Sequence, residues 1–130
     1  MTVLCDIQWV WGVGSGVTIG DDQPVWENTF NTGGRLKNGH AVLVYMVRGL
    51  TGTHSAEVRL NNQHVGRVSP YPGANQTHWY MQMMNITGGP LLDGNNEFQV
   101  NAAPAADPSA GHLYDTFTLK YILCIFQQES

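Results

Sequence analysis

Two polar loops hold the side chains with the most chemistry to offer. One is Asp21-Asp22-Gln23-Pro24, with Trp26 close behind; the other runs from Tyr71 through Asn75 and Gln76 to His78. A sugar ring presents a C–H face that an aromatic side chain can cover, and hydroxyls that carboxylates, amides and imidazoles can hydrogen-bond. Trp26 and Tyr71 supply rings, while Asp21, Asp22, Asn75, Gln76 and His78 supply polar partners. These seven residues form the candidate carbohydrate-binding set, if the fold brings both loops to one end. The competing reading is structural: Trp26 caps the end of a core, and Trp79 falls at core parity in its own run.

Other chemistries fit the chain less well. The five histidines (His40, His54, His64, His78, His112) show neither H-E-x-x-H nor a Cys/His zinc spacing. Gly12-Val13-Gly14-Ser15-Gly16 matches neither a dinucleotide fingerprint nor a phosphate loop, and Ser15 lacks the glycines of a nucleophile elbow. A glycosidase pair needs two carboxyls roughly 5–9 Å apart in a cleft, and adjacent Asp21 and Asp22 diverge in an extended loop. The expectation is a non-enzymatic chain with no cofactor. A structural Ca²⁺ would draw on Asp21, Asp22 and Asp115, although no D-x-D-x-D-G spacing supports it.

The bulk numbers narrow the classes. The 130 residues suffice for one domain and one core. Charged residues are 12% of the chain, about half the usual share, and net charge is −4. A surface rich in Asn, Gln, Ser, Thr and Gly suits hydroxyl-bearing ligands or a partner subunit. It lacks the basic patch that nucleic acid requires. No stretch reaches the roughly 20 apolar residues of a membrane helix, so membrane insertion is not expected. Cys5 and Cys124 each sit in an apolar run, as buried small hydrophobes would, and neighbouring terminal strands would also allow a disulfide.

The elements that must position the loops read as strands. In Ser55–Val68, Ala56, Val58 and Leu60 alternate with Ser55, Glu57 and Arg59; Asn61-Asn62 interrupts, and His64–Val68 resumes, which predicts a hairpin. Val3–Val13 alternates with Val3, Cys5, Ile7 and Trp9 on one face and Leu4, Asp6, Gln8 and Val10 on the other. Ala41–Val47 is apolar throughout, as in a strand covered on both faces. His78–Ile86 predicts a strand with Trp79, Met81 and Met83 in the core. Glu97–Asn101 alternates with Phe98 and Val100 inward, and Leu113–Phe126 closes the chain. The pattern is seven to eight strands at intervals of roughly ten residues, with no substantial helix: an all-β, antiparallel β-sandwich.

Three stretches resemble the jelly roll of the galactose-binding-domain-like superfamily, which includes many carbohydrate-binding modules. Val58-Arg59-Leu60-Asn61-Asn62 to Val65-Gly66 is similar to its hairpin, with Asn62 where Gly is usual. Leu91-Leu92-Asp93-Gly94-Asn95-Asn96-Glu97-Phe98-Gln99-Val100 is similar to its Leu pair, Gly-x-Asn turn and alternating strand. Tyr114–Leu119 is similar to the closing strand that returns beside the first. The resemblance spans about residues 41–125 and implies a binding module, most naturally a small lectin or carbohydrate-binding protein. The alternative is an assembly subunit that binds protein without glycan. Tyr121–Phe126 carries neither charge nor Pro, so it lies inside a sheet or is an edge that a partner covers, and a homo-oligomer is expected.

Overall fold

A computed structural model describes residues 4–12, 14–50, 56–70, 78–86, 90–104 and 113–128. In it Asn61 and Asn62 turn the chain as their residue types demand. Both take positive φ, 51° and 64°, the pairing a two-residue type I′ hairpin requires, and Asn tolerates it better than any residue but Gly. They join β5 (Ala56–Leu60) to β6 (Gln63–Val68). Ala56, Val58 and Leu60 are fully buried.

The other strands are β1 (Leu4–Trp11), β2 (Val17–Ile19), β3 (Val25–Asn31), β4 (Ala41–Arg48), β7 (Tyr80–Asn85), β8 (Asn95–Asn101), β9 (Ala103–Pro104), β10 (Tyr114–Asp115) and β11 (Phe117–Gln128). The eleven strands among the described residues exceed the expected seven or eight because short pieces such as β2, β9 and β10 are too brief to show a period. Sheet A has the order β1-β11-β4-β7, with β2 also on β11; sheet B is β3-β8-β5-β6. Every pairing is antiparallel. Between the sheets, Leu43, Tyr45, Val47, Leu119, Ile122 and Phe126 meet Trp26, Phe30, Val58, Leu60, Phe98 and Val100. No helix among the described residues is long and apolar enough to cross a membrane.

One expectation is corrected, on β7, and two open points are decided. On β1, Val10 turns inward while Ile7 and Trp9 are 54% and 55% exposed, so the apolar set lies outside. On β7, Met84 is buried over Gly66, whereas Met81 and Met83 are 68% and 70% exposed. A Cβ on Gly66 would stand 2.7 Å from the Met84 sulfur; that fit sets which parity of β7 faces the core. Finally, Tyr121–Phe126 lies inside the sheet, the first of the two alternatives: β11 is hydrogen-bonded to β4 on one side and to β1 and β2 on the other.

The outer faces of the sheets therefore differ. Sheet B shows Glu57, Arg59, His64, Gln99 and Asn101, a polar mesh in which His64 and then Asn101 hold the Glu57 carboxyl below its usual range. Sheet A shows Ile7, Trp9, Met81, Met83 and Tyr121.

Thr32 and Asn96 are the buried polar side chains among the described residues. Asn96 Nδ2 donates to Thr32 Oγ1 at 2.8 Å and to the Gly94 carbonyl at 3.1 Å. Its Oδ1 accepts from Leu92 N and from Asn61 Nδ2. Asn61 then donates to the Pro90 carbonyl and accepts from Glu97 N. The hairpin turn, the loop leaving sheet A and the end of β3 are locked into one satisfied cluster, the arrangement that makes buried polar groups tolerable.

Asn96→Ala orphans several of those groups and should lower the unfolding free energy by about 1–3 kcal/mol in urea titration. Asn62→Gly, which keeps the turn, should stay within about 0.5 kcal/mol; equal stability of both variants would contradict the cluster's role. Cys5 is exposed and Cys124 buried, and Cys5 pairs with Gln127, three residues along β11 from Cys124. That is about 10 Å of strand, beyond disulfide reach. Burial pushes the Cys124 thiol up to about 12. A thiol reagent at neutral pH should modify one cysteine in the folded chain and two after unfolding.

Candidate functional site

The loop between β2 and β3 closes on itself: Gly20 N donates to the Gln23 carbonyl at 3.1 Å and Gln23 N returns a bond at 3.2 Å. This tight turn presents Asp21 and Asp22. Asp21 Oδ1 accepts from the backbone N–H groups of Leu113 and Tyr114, each at 3.0 Å, which ties the turn to the segment entering β10. Gly20 lies so close that a Cβ there would stand 2.9 Å from Thr116 Cα. Glycine is required by that close approach.

Between these segments is a cleft of about 760 Å³ lined by Thr18, Gly20, Asp21, Asp22, Gln23, Leu113, Tyr114 and Thr116. Its size is that of a small-molecule site, about 300–1,000 Å³. A hollow of about 150 Å³ beside Cys5, His40 and Ile125 is too small to compare. The cleft offers one phenol ring, two carboxylates, one amide and two hydroxyls. Asp22 is exposed, and Tyr114 and Thr116 are on its wall. It can hydrogen-bond a polyhydroxylated ligand and stack one face of it. Among the described residues no three His, Cys, Asp or Glu side chains converge as a metal site.

The structure sorts the sequence-derived set. Asp21 and Asp22 share the cleft. Trp26 does not reach it: it is 7% exposed and packs edge-on against Trp11 at 5.4 Å and Phe98 at 5.9 Å. Its position on β3 opposite Val100 points the ring into the core, so it serves as packing and offers no stacking face. His78 is exposed just before β7, and β2, β11, β4 and β7 follow one another across sheet A. Three strand spacings, roughly 14 Å, separate its strand from the cleft's. Tyr71, Asn75 and Gln76 lie outside the described residues.

A second group was not singled out from the sequence. Register shifts in β11 between Lys120 and Leu123, and Tyr121 takes φ 52°. This bulge puts consecutive residues Lys120 and Tyr121 on the outer face, since Leu119 and Ile122 on either side are fully buried. Lys120 Nζ sits 3.9 Å from the Trp79 ring centroid and 5.3 Å from that of Tyr121. Arg48 Cζ stands 4.7 Å from the same Trp79 ring. Trp9 meets Tyr121 edge-on at 6.3 Å. The outward parity of Trp79 was hidden by the apolar alternation it shares with Met81 and Met83, and a bulge leaves no period to read. Tyr114 and Thr116 were legible as residue types with no way to tell that they faced Asp21.

Comparison with known proteins adds the fold. No family model matches the chain, and no curated protein matches it. Solved structures do. It is similar to dimeric latent PorU from Porphyromonas gingivalis, with TM-score 0.63 and 10% identity over 98% of this chain and 13% of that one. It is similar to a β-porphyranase of glycoside hydrolase family 86 from Bacteroides plebeius, with TM-score 0.58 and 8% identity over 98% and 21%. A family 29 carbohydrate-binding module matches at TM-score 0.51 and 10% identity over 95% and 89%. The chain thus spans 13% and 21% of the first two proteins and most of the third. These likenesses show the fold alone, an all-β antiparallel sandwich of the class expected from the sequence.

Proposed function

We propose that the chain is a non-enzymatic recognition module that takes a sugar unit in the cleft between Gly20–Gln23 and Leu113–Thr116. The observation that carries this reading is the lining itself. Asp22 and Gln23 offer planar polar groups and Tyr114 an aromatic face, with the Thr18 and Thr116 hydroxyls beside them. Asp21 is committed to Leu113 N and Tyr114 N, so it acts as a brace that fixes the wall. A rigid wall matters because ordering a loop on binding subtracts from affinity. The proposal retains Asp21 and Asp22, and adds Tyr114, Gln23, Thr18 and Thr116. Tyr71, Asn75, Gln76 and His78 enter it on residue type alone. Likeness of fold to a carbohydrate-binding module supports the reading as analogy.

The second reading, an assembly subunit, keeps one observation: the exposed Ile7, Trp9, Met81 and Met83 on sheet A form a field that a protein partner could cover. It loses the open edge strand on which self-pairing was first argued.

A glycan array followed by calorimetry tests the proposal. Asp22→Ala and Tyr114→Ala should each weaken binding of the selected glycan at least tenfold, about 1.4 kcal/mol, with the urea midpoint unchanged. An empty array, or a glycan bound equally by both variants, would overturn it; an empty array together with a discrete oligomer in light scattering would favour assembly.

A further inference from the structure

We infer that Trp79, Arg48 and Lys120 on the outer face of sheet A form a second subsite, beside the cleft, for the carboxylate or sulfate of an acidic saccharide. The inference rests on the carbohydrate reading above and adds the charge of the ligand.

The chain has only 6 Lys and Arg against 10 Asp and Glu, yet two of the six cations converge on one indole. Both lie within 5 Å of its centroid, hence less than a Debye length apart (about 10 Å at 0.1 M salt), and they repel one another. The carboxylate pairs among the described residues are Glu57 with Arg59 and Glu57 with His64. No described carboxylate lies within ion-pairing distance of Arg48 or Lys120. A cation–π contact orients an ammonium or guanidinium but accepts few of its N–H donors, and it is weak where solvent reaches it. Among the described residues no carboxylate takes up the remaining donors. An oxyanion would answer both features, by taking charge-assisted hydrogen bonds, bidentate from Arg48, and by screening the two cations from each other.

The surroundings specify a sugar anion in place of a bare ion. Trp79 is taken up in orienting the two cations, and the 39% exposed Tyr121 beside Lys120 adds aromatic surface suited to the C–H face of the ring that bears the acid. The group is also continuous with the cleft. Arg48 pairs with Thr118, and Thr118 with Thr18; the two threonine hydroxyls are 3.2 Å apart, and Thr18 lines the cleft. Two strand spacings, about 10 Å, separate Arg48 from Thr18. An oligosaccharide can rest its neutral end in the cleft, cross the threonine pair and place the acid of the next unit against Arg48 and Lys120.

The test uses three trisaccharides that differ in one group: a neutral one, its uronate counterpart and its sulfate-ester counterpart. Binding is followed by NMR through the Trp79 indole N–H, assigned with Trp79→Phe. At least one acidic trisaccharide should bind about tenfold tighter than the neutral one, and the two acidic arms tell carboxylate from sulfate. Arg48→Gln and Lys120→Gln should each remove most of that preference and leave the affinity for the neutral trisaccharide unchanged. Equal binding of all three, or a preference that survives the double substitution, overturns the subsite while the cleft reading stands. Absence of any trisaccharide binding overturns both, including the case where inorganic sulfate alone still shifts the Trp79 signal.

Discussion

The pairing of β11 on both edges is the constraint from which the rest follows. This strand, Phe117–Gln128, receives β4 along one side and β1, then β2, along the other. Phe117, Leu119, Ile122, Cys124 and Phe126 face the core, and the step from 119 to 122 marks the bulge. Because β1 and β2 share one neighbour, the chain must leave the sheet and re-enter it between Trp11 and Val17. It then arrives at the sandwich end as β2, aimed at the Gly20–Gln23 turn. The same bulge lifts Lys120 and Tyr121 onto the outer face. Both the cleft and the cation–aromatic group are thus consequences of how one strand is held. A non-Gly residue with φ near +50° costs about 1–2 kcal/mol, and Tyr121 keeps that backbone through ring contacts with Trp9 and Lys120.

The two ends of the sandwich divide the labour. At one, the Asn61–Asn96–Thr32 cluster satisfies buried polar groups and joins the sheets. At the other, polar groups line an open cleft, held by hydrogen bonds to backbone from a single carboxylate. Rigidity far from the cleft would let the loops around it carry the recognition proposed above, the usual arrangement of binding loops on a fixed scaffold.

Where residue type dictates backbone, the sequence was legible. The Asn61-Asn62 hairpin and the alternating β8 with Phe98 and Val100 inward read correctly, as did the sandwich fold; β4 is a strand as expected, but its outer residues Val42, Val44 and Met46 are half-buried rather than covered. Leu91 is buried as a core plug, whereas Leu92 is half exposed and gives its backbone to Asn96 instead. Face was not legible where both sides of a strand are acceptable. A period of two says that residues alternate without saying which set meets the other sheet. On β1 and β7 the larger apolar set points outward. Deciding it needed Met84 over Gly66 and Val10 in the core, contacts between residues far apart in sequence. Asp21 and Asp22, which line the cleft, stood out in the sequence because a polar turn before Pro is visible locally. Trp26 misled because a loop-flanking Trp looks the same whether it caps a core or faces a ligand. Tyr114 could not be matched to Asp21, since 93 positions separate them.

The central claim is that recognition happens at the Gly20–Gln23 end, and mapping backbone amide shifts during titration with a bound glycan tests it most directly. The account predicts that the largest changes fall on Gly20–Gln23 and Leu113–Thr116, with the amides of Asn61, Asn62 and Leu92–Asn96 unmoved. Changes centred on the Asn61-Asn62 hairpin, or on the polar face of sheet B around Glu57, would contradict it.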